Sequence, residues 1–396
     1  MTGILANRRA FLAAAITVLA ALLAVEVAAR AVFSAENIAA WHADDFLAHE
    51  RDDHGRLVAD AVAVANTEAP AGGRLILIGG STIREGLLPD PVIQEQIDDR
   101  LGSTAPSVHT LYSFDQSMAE TARIALSLKL GAGDTAVVGV NPRRFGFGDA
   151  AINQEFSASR VSLLPAGPFE RLVATALVTD ARPTPSTISE LAVELGETAL
   201  FSPWEEATVF QHRLFVRRWV EGRLPGTTTQ AWGHVWAGQL TEVDLGDLTD
   251  LSFRDIRRPL RYGYSNQPLS DAEKEHLAKI VAETRVDEYF DNHELDLALT
   301  EALIEALTAD GVKVVLLELP RTSLSVDAYG PVWDHYDTEL DELAARTGAE
   351  RLDLRAVPFT DDDFFDLEHL LGSGRARLTD EVFAGILGIE LGLDDA

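Results

Sequence analysis

Five short apolar runs, separated by stretches with helical spacing, constrain the fold of this chain more than any other feature. Short apolar runs bounded by Gly, Asp or Pro are typical of buried strands. The runs are Leu75–Ile78, Ser107–Tyr112, Thr135–Val140, Val312–Leu317 and Arg351–Leu354. The helix-like stretches between them include Pro91–Leu101, Met118–Leu130, Leu295–Ala309 and Asp334–Thr347. Alternating strands and helices predict βαβ units, and therefore an α/β domain with a mostly parallel sheet.

A long interruption divides this pattern into two parts. Residues 150–295 hold few continuous strand-like runs and many aromatic side chains, which favours a mainly helical insertion or lid. The aromatic residues are also consistent with a core that belongs to the insertion itself. The predicted segments are an N-terminal anchor or signal (1–34), a helical connector (35–70), the first part of the α/β domain (71–150), the insertion (151–295) and the second part (296–396).

The charge balance excludes one large class of partner. The 396 residues carry a net charge of −30, and only four of the 33 basic residues are Lys. Nucleic-acid binding depends on Lys and Arg that neutralise phosphates, so we expect no nucleic-acid partner. The acidic surface suits a high-salt environment, although compositional drift in a GC-rich genome explains it equally well. Cysteine is absent, which excludes disulfides and thiolate catalysis.

The N-terminus resembles an export or anchoring segment. Residues 10–25 form an uncharged apolar run that follows Arg8 and Arg9, and Glu26 and Arg30 come after it. Basic residues before the run predict that the rest of the chain lies outside the cytoplasm. The two arginines followed by Phe11 also resemble a twin-arginine export signal. A membrane helix, a cleaved signal and a buried core helix remain open alternatives.

Two segments about 285 residues apart supply residues for acyl chemistry. The run Leu75–Ile78 leads into Gly79-Gly80-Ser81, which predicts a strand, a tight turn that presents the serine hydroxyl, and a helix from Thr82 onward. Asp366 lies three residues before His369, close enough to orient the imidazole as a general base. Each motif alone is weak, but Ser81 follows the first strand of the domain and the Asp-His pair follows the last. The ten histidines show no HExxH pattern and no metal-spaced cluster. Acyl transfer through a serine needs no metal and no organic cofactor, so we expect neither.

These motifs together resemble the SGNH (GDSL-type) hydrolase superfamily over about residues 74–145 and 296–390. The resemblance implies a three-layer, flavodoxin-like sheet in which Ser81, Asp366 and His369 are catalytic. It also implies an oxyanion hole formed by Ser81, the position of Asp115, and Asn141. The family has a glycine where this chain has Asp115, and a carboxylate there would oppose an oxyanion.

An anchored N-terminus with such a domain is similar to one branch of this superfamily, which includes alginate O-acetyltransferases and lipoteichoic-acid D-alanylation proteins. The branch implies transfer of a small acyl group on a cell-surface glycan, with a multi-spanning membrane acyltransferase as a partner. Arg143, Arg144 and Arg321 lie at predicted strand ends, where they could bind anionic substrate groups or be ordinary solvated arginines. A soluble-ester hydrolase and a non-catalytic scaffold are the alternative functions.

Overall fold

A five-stranded sheet forms the centre of the molecule. The computed structural model describes residues 2–32, 37, 53–113, 115–157, 161, 164–165, 167–179, 268–388 and 391. The strands are β1 (Arg74–Gly79), β2 (Ser107–Tyr112), β3 (Thr135–Val140), β4 (Lys313–Glu318) and β5 (Glu350–Asp353). Every neighbouring pair is parallel and the order is β2-β1-β3-β4-β5. The predicted parallel α/β sheet is thus confirmed, with the strand order of flavodoxin-like proteins.

Helices flank the sheet and connect its strands. They are α1 (Thr2–Val32), α2 (Asp53–Asn66), α3 (Ser81–Gly86), α4 (Asp90–Leu101), α5 (Met118–Ser127), α6 (Gly148–Ser157), α7 (Gly167–Thr179), α8 (Asp271–Ala309), α9 (Ser323–Tyr329), α10 (Val332–Thr347) and α11 (Gly372–Leu387). Helix α8 runs through the boundary expected at residue 295, so one 39-residue helix joins the predicted insertion to the second part of the domain.

Two hydrophobic cores lie on opposite faces of the sheet because neighbouring side chains of a strand point to opposite sides. In β1, Ile76 and Ile78 pack against residues of α2, α5, α8 and α10. Leu75 and Leu77 pack on the other face, against residues of α3, α4 and α11. All four side chains are fully buried. Strands covered on both faces read as continuous apolar runs, which explains why the sequence pattern located them.

The N-terminal helix differs from the sequence prediction. Helix α1 has 31 residues, and the large apolar side chains from Ile16 to Val27 are exposed. Across the residues that the structure describes, no helix meets the combined length and apolarity needed to cross a membrane. The predicted transmembrane helix is therefore not supported. Charged residues on both sides limit the apolar run to residues 10–25, below the span of about 20 residues that a bilayer requires.

Most of the predicted insertion lies outside the described residues. Helices α6 and α7 begin it and α8 ends it, so the described parts are helical, as expected. Residues 180–267, with most of the aromatic side chains, are among those not described.

The topology determines where a site can form. The chain passes from β1 to β2 on one side and then to β3 on the other, so the connections diverge between β1 and β3. In open parallel sheets, ligands bind at the carboxyl ends of the strands at such a point. Ser81 lies two residues after the end of β1, and Asn141 directly follows β3.

Candidate active site

The residues predicted as a triad form a continuous hydrogen-bonded chain. Ser81 Oγ lies 2.8 Å from His369 Nε2, and His369 Nδ1 lies 2.9 and 3.0 Å from the two carboxylate oxygens of Asp366. Because a carboxylate accepts, Nδ1 carries the proton and Nε2 accepts from the serine hydroxyl. Asp366 and His369 are each 1% exposed and Ser81 is 7% exposed. The arrangement can activate a serine nucleophile in a water-poor setting.

Local backbone structure holds Ser81 at the end of β1. Gly80 precedes α3 with an extended backbone, and Ser81 is the first helical residue. The first backbone N–H groups of a helix have no acceptor inside it, so the Ser81 N–H can donate to a reacting oxygen. The sequence prediction of a strand, a tight turn and a helix is met, with the helix beginning at Ser81 itself.

Two glycines allow α3 to approach the sheet closely. A Cβ atom on Gly79 would lie 2.4 Å from the Cδ1 atom of Ile83, and one on Gly139 would lie 2.5 Å from the same atom. Ile83 is fully buried in α3, two residues after Ser81. Its side chain therefore packs over both strands, which brings the serine beside the end of β3.

A tight loop presents Asp366 and His369. The Asp366 carboxylate accepts the backbone N–H groups of Glu368 and His369, each at 2.9 Å, while it also contacts the imidazole. The Phe365 N–H donates to the His369 carbonyl at 2.8 Å, which closes the loop. The Asp-x-x-His spacing thus produces both the turn and the orienting contact.

Asn141, the predicted oxyanion donor, follows β3 and lines the same cleft as Ser81. It caps the short 3-10 helix Pro142–Phe145, and its Oδ1 atom accepts the Arg144 N–H at 3.1 Å. Because Oδ1 already accepts this N–H group, the Nδ2 atom of the Asn141 amide is left as the donor for a bound oxygen. Asn141 and Ser81 line one open cleft of about 300 Å³.

Asp115 takes a glycine-like conformation and its charge is paired. Its φ angle is +50°, in the left-handed region that Asp tolerates better than most residues. Its carboxylate lies 2.9 Å from the Arg143 guanidinium. The ion pair offsets the negative charge that the family resemblance marked as unfavourable for an oxyanion, and the backbone N–H does not depend on the side chain.

Arg144 is held by internal hydrogen bonds. Its guanidinium donates to the carbonyls of Gly139, Gln116 and Ser117. It also donates to the side chains of Gln116 and Thr121. Burial lowers the pKa of Arg144 to about 10. These contacts fasten the segment before α5 to the end of β3, so Arg144 supports the two segments that carry Asp115 and Asn141.

Arg321 is also paired within the protein. It is buried and lies 2.8 Å from the carboxylate of Glu368, with its guanidinium over the rings of Tyr329 and Trp333. Burial disfavours its charged form, but the surrounding acidic groups, Glu368 foremost, together outweigh that effect and raise the pKa of Arg321. Substrate binding by Arg143, Arg144 and Arg321 stays a prediction; each of them lines the clefts beside Ser81.

Sequence analysis did not single out three residues that support this site. Gln116 accepts from Arg144, and Glu368 pairs with Arg321. Asp296 of α8 accepts the N–H groups of Phe147 and Gly148, at 3.0 and 2.8 Å, just after the segment that begins at Asn141. Of these three residues, only Glu368 could have been found from the sequence, because it lies inside the Asp-x-x-His motif.

Comparisons with known proteins place this chain in no family, because neither the family models nor the curated proteins give a match.

Proposed function

We propose that the chain is an SGNH-type serine acyltransferase or esterase that moves a small acyl group through Ser81. The observation that carries the proposal is the buried chain Asp366–His369–Ser81, with its contacts of 2.8 to 3.0 Å. Geometry of this kind defines a serine triad better than sequence position does.

In the first half-reaction, the Ser81 oxygen attacks an ester carbonyl while its proton passes to His369 Nε2. Asp366 holds the imidazole tautomer and stabilises the imidazolium that forms. The Ser81 N–H, the Asp115 N–H and the Asn141 amide are the proposed donors to the oxyanion. The ester C–O bond then breaks, and the leaving alkoxide takes the proton from His369.

In the second half-reaction, an acceptor hydroxyl or water loses its proton to His369 and attacks the acyl carbon. The bond to the serine oxygen breaks, and that oxygen regains the proton. With a glycan hydroxyl as the acceptor, the reaction is an O-acyl transfer; with water, it is hydrolysis. The small acyl group, such as acetyl, is proposed from the resemblance to the acetyltransferase branch, and the cleft lined by Ser81 and Asn141 is open to receive it.

We also propose a surface glycan as the acceptor and a membrane acyltransferase as the acyl supplier. This part rests on the resemblance of the sequence to the alginate and lipoteichoic-acid branch. An extracytoplasmic location belongs to the same proposal. The pairing of Asp115 with Arg143 favours catalysis over a scaffold role, because it answers the main sequence-based objection to a working oxyanion hole.

Labelling with a fluorophosphonate probe tests the proposal directly. The full chain should be labelled, and Ser81→Ala should abolish the labelling. Ser107→Ala is a matched control, because Ser107 Oγ also contacts a histidine, at 3.1 Å from His109 Nε2, outside the proposed triad. Labelling that survives in Ser81→Ala, or none in a folded wild type, would refute the proposed nucleophile.

Acceptor preference separates transfer from hydrolysis. The protein would be given a chromogenic acetyl ester, with and without a soluble polysaccharide, and both free acetate and acetylated glycan would be measured. Acetylated glycan that depends on Ser81 supports transfer. Acetate release that the glycan does not change supports the esterase alternative.

A further inference from the structure

Two histidines and a glutamate meet between α8 and α10, away from the Ser81 chain. His293 projects from α8, and His335 and Glu339 lie four residues apart on α10. His293 Nε2 is 3.5 Å from Glu339 Oε1, and His335 Nδ1 is 3.2 Å from Glu339 Oε2. One ligand atom from each residue lies within 4.8 Å of the other two.

A backbone contact determines which atom His293 presents to this cluster. Its Nδ1 lies 3.0 Å from the carbonyl of Tyr289, one helical turn earlier. A carbonyl only accepts, so Nδ1 carries the proton and Nε2 faces Glu339. Histidines that bind metals commonly donate their second ring nitrogen to a carbonyl or carboxylate in this way.

The two histidine–glutamate separations are close to those of a tetrahedral metal site. Zinc–nitrogen and zinc–oxygen bonds are about 2.0–2.1 Å, which puts neighbouring ligand atoms about 3.4 Å apart. The separations of the two histidines from the two carboxylate oxygens of Glu339, 3.2 and 3.5 Å, bracket that value. The three ligand atoms lie within 4.8 Å of one another, so the side chains would close slightly around a bound cation. We propose that His293 Nε2, His335 Nδ1 and the Glu339 carboxylate bind a divalent cation of the zinc class.

The surroundings supply further support and an entry path. The buried Tyr289 hydroxyl donates to Glu339 Oε2 at 3.1 Å, which orients the carboxylate as an outer partner would. The Tyr289 ring stacks on His293 at 4.8 Å between centroids. The side chain of His335 is 43% exposed, so a cation can enter from solvent and keep a water as its fourth ligand.

The site joins two helices that support the Ser81 cleft. Asp296, which binds the N–H groups after the Asn141 segment, lies less than one turn from His293 on α8. A cation held between α8 and α10 would fix α8 at that point. Its role is therefore structural, and it takes no part in acyl transfer. The inference is independent of the proposed function.

Zinc binding by the full chain tests this site. The protein would be freed of metal with a chelator, desalted, and titrated with zinc against a chromophoric competing chelator. We expect one tight site per chain, a raised unfolding temperature with zinc, and no response to magnesium. His335→Gln and Glu339→Gln should each weaken binding by about 10-fold or more and remove the thermal shift.

Two controls keep the outcome decisive. His276→Gln removes an exposed histidine from the same helix and should leave binding unchanged, and His369→Ala should do the same. His335 is exposed, so its variant should fold even if a change at His293 does not. The proposed site is overturned if the protein does not bind zinc, or if His335→Gln leaves zinc binding intact. The three side chains would then form only histidine–glutamate ion pairs.

Discussion

Replacing Asp296 with Asn should make the free energy of unfolding less dependent on pH. The Asp296 carboxyl is fully buried, and burial raises its pKa to about 7, despite hydrogen bonds from Gly148 and Phe147 and the charge of Arg144 that act in the opposite direction. Oδ1 has no hydrogen-bond partner among the described residues. The folded protein therefore keeps a proton on Asp296 up to near-neutral pH.

Raising the pH should destabilise the folded protein, because Asp296 has a higher pKa in the folded state than in the unfolded state. The unfolded carboxyl has a pKa near 3.8, so between that pH and about 7 the folded state binds more protons than the unfolded state. The stabilisation is fully present below the lower pKa and is lost as the pH rises to the upper one. Each unit corresponds to about 1.36 kcal/mol. The part of a rise from about pH 5.5 to about pH 8.5 that lies below the folded pKa spans roughly 1.5 pH units. The ionisation of Asp296 alone should therefore lower the free energy of unfolding by about 2 kcal/mol.

Urea unfolding of the wild type and Asp296→Asn at both pH values measures this quantity. Asn keeps a carbonyl that can accept the two N–H groups but does not ionise. The range stays above the pI of about 4.6, where the chain is least soluble. Asp291→Asn is the matched control, because it removes one exposed carboxylate from the same helix. Glu318, whose pKa burial also raises to about 7, is present in all three proteins and cancels.

Between the two pH values, the free energy of unfolding should fall by similar amounts in the wild type and in Asp291→Asn. In Asp296→Asn it should fall by about 2 kcal/mol less. A difference below about 0.5 kcal/mol, in proteins that unfold reversibly, would refute the assignment of a proton to folded Asp296.

Three further changes test the site. Asp366→Asn should lower kcat for an acetyl ester by about 10⁴ because the imidazole loses the carboxylate that sets its tautomer; a loss under tenfold would contradict that role. Asn141→Ala should lower kcat by about 10²–10³ with little change in KM, and full activity would remove Asn141 from the oxyanion hole. Gly139→Ala should destabilise the fold by about 1–3 kcal/mol through its clash with Ile83. Ile83→Ala should relieve that clash, so in urea unfolding the double variant should be less destabilised than the sum of the single variants, and strict additivity would refute the contact.

Much of the fold could be predicted because its signals are local. The central strands β1, β3 and β4 are buried, nearly continuous apolar runs, as expected of strands covered on both faces. All five predicted runs match strands to within about one residue. Helix α8 was predicted only from residue 295, whereas it begins at Asp271. Its first half has many exposed charged residues and only a sparse row of buried apolar ones, Leu277, Val281 and Tyr289, so the apolar stripe that marks a helix is weak there.

The sequence by itself determined the strands, the turn that presents Ser81 and the Asp366–His369 pair, because each depends on residues within a few positions of one another. Only the tertiary structure decided that Ser81 meets His369 across 288 positions. It also decided that Arg143 neutralises Asp115, and that histidines of two helices meet at one glutamate. Such contacts depend on the strand order of the sheet and the packing of helices on it, and no short-range spacing encodes either.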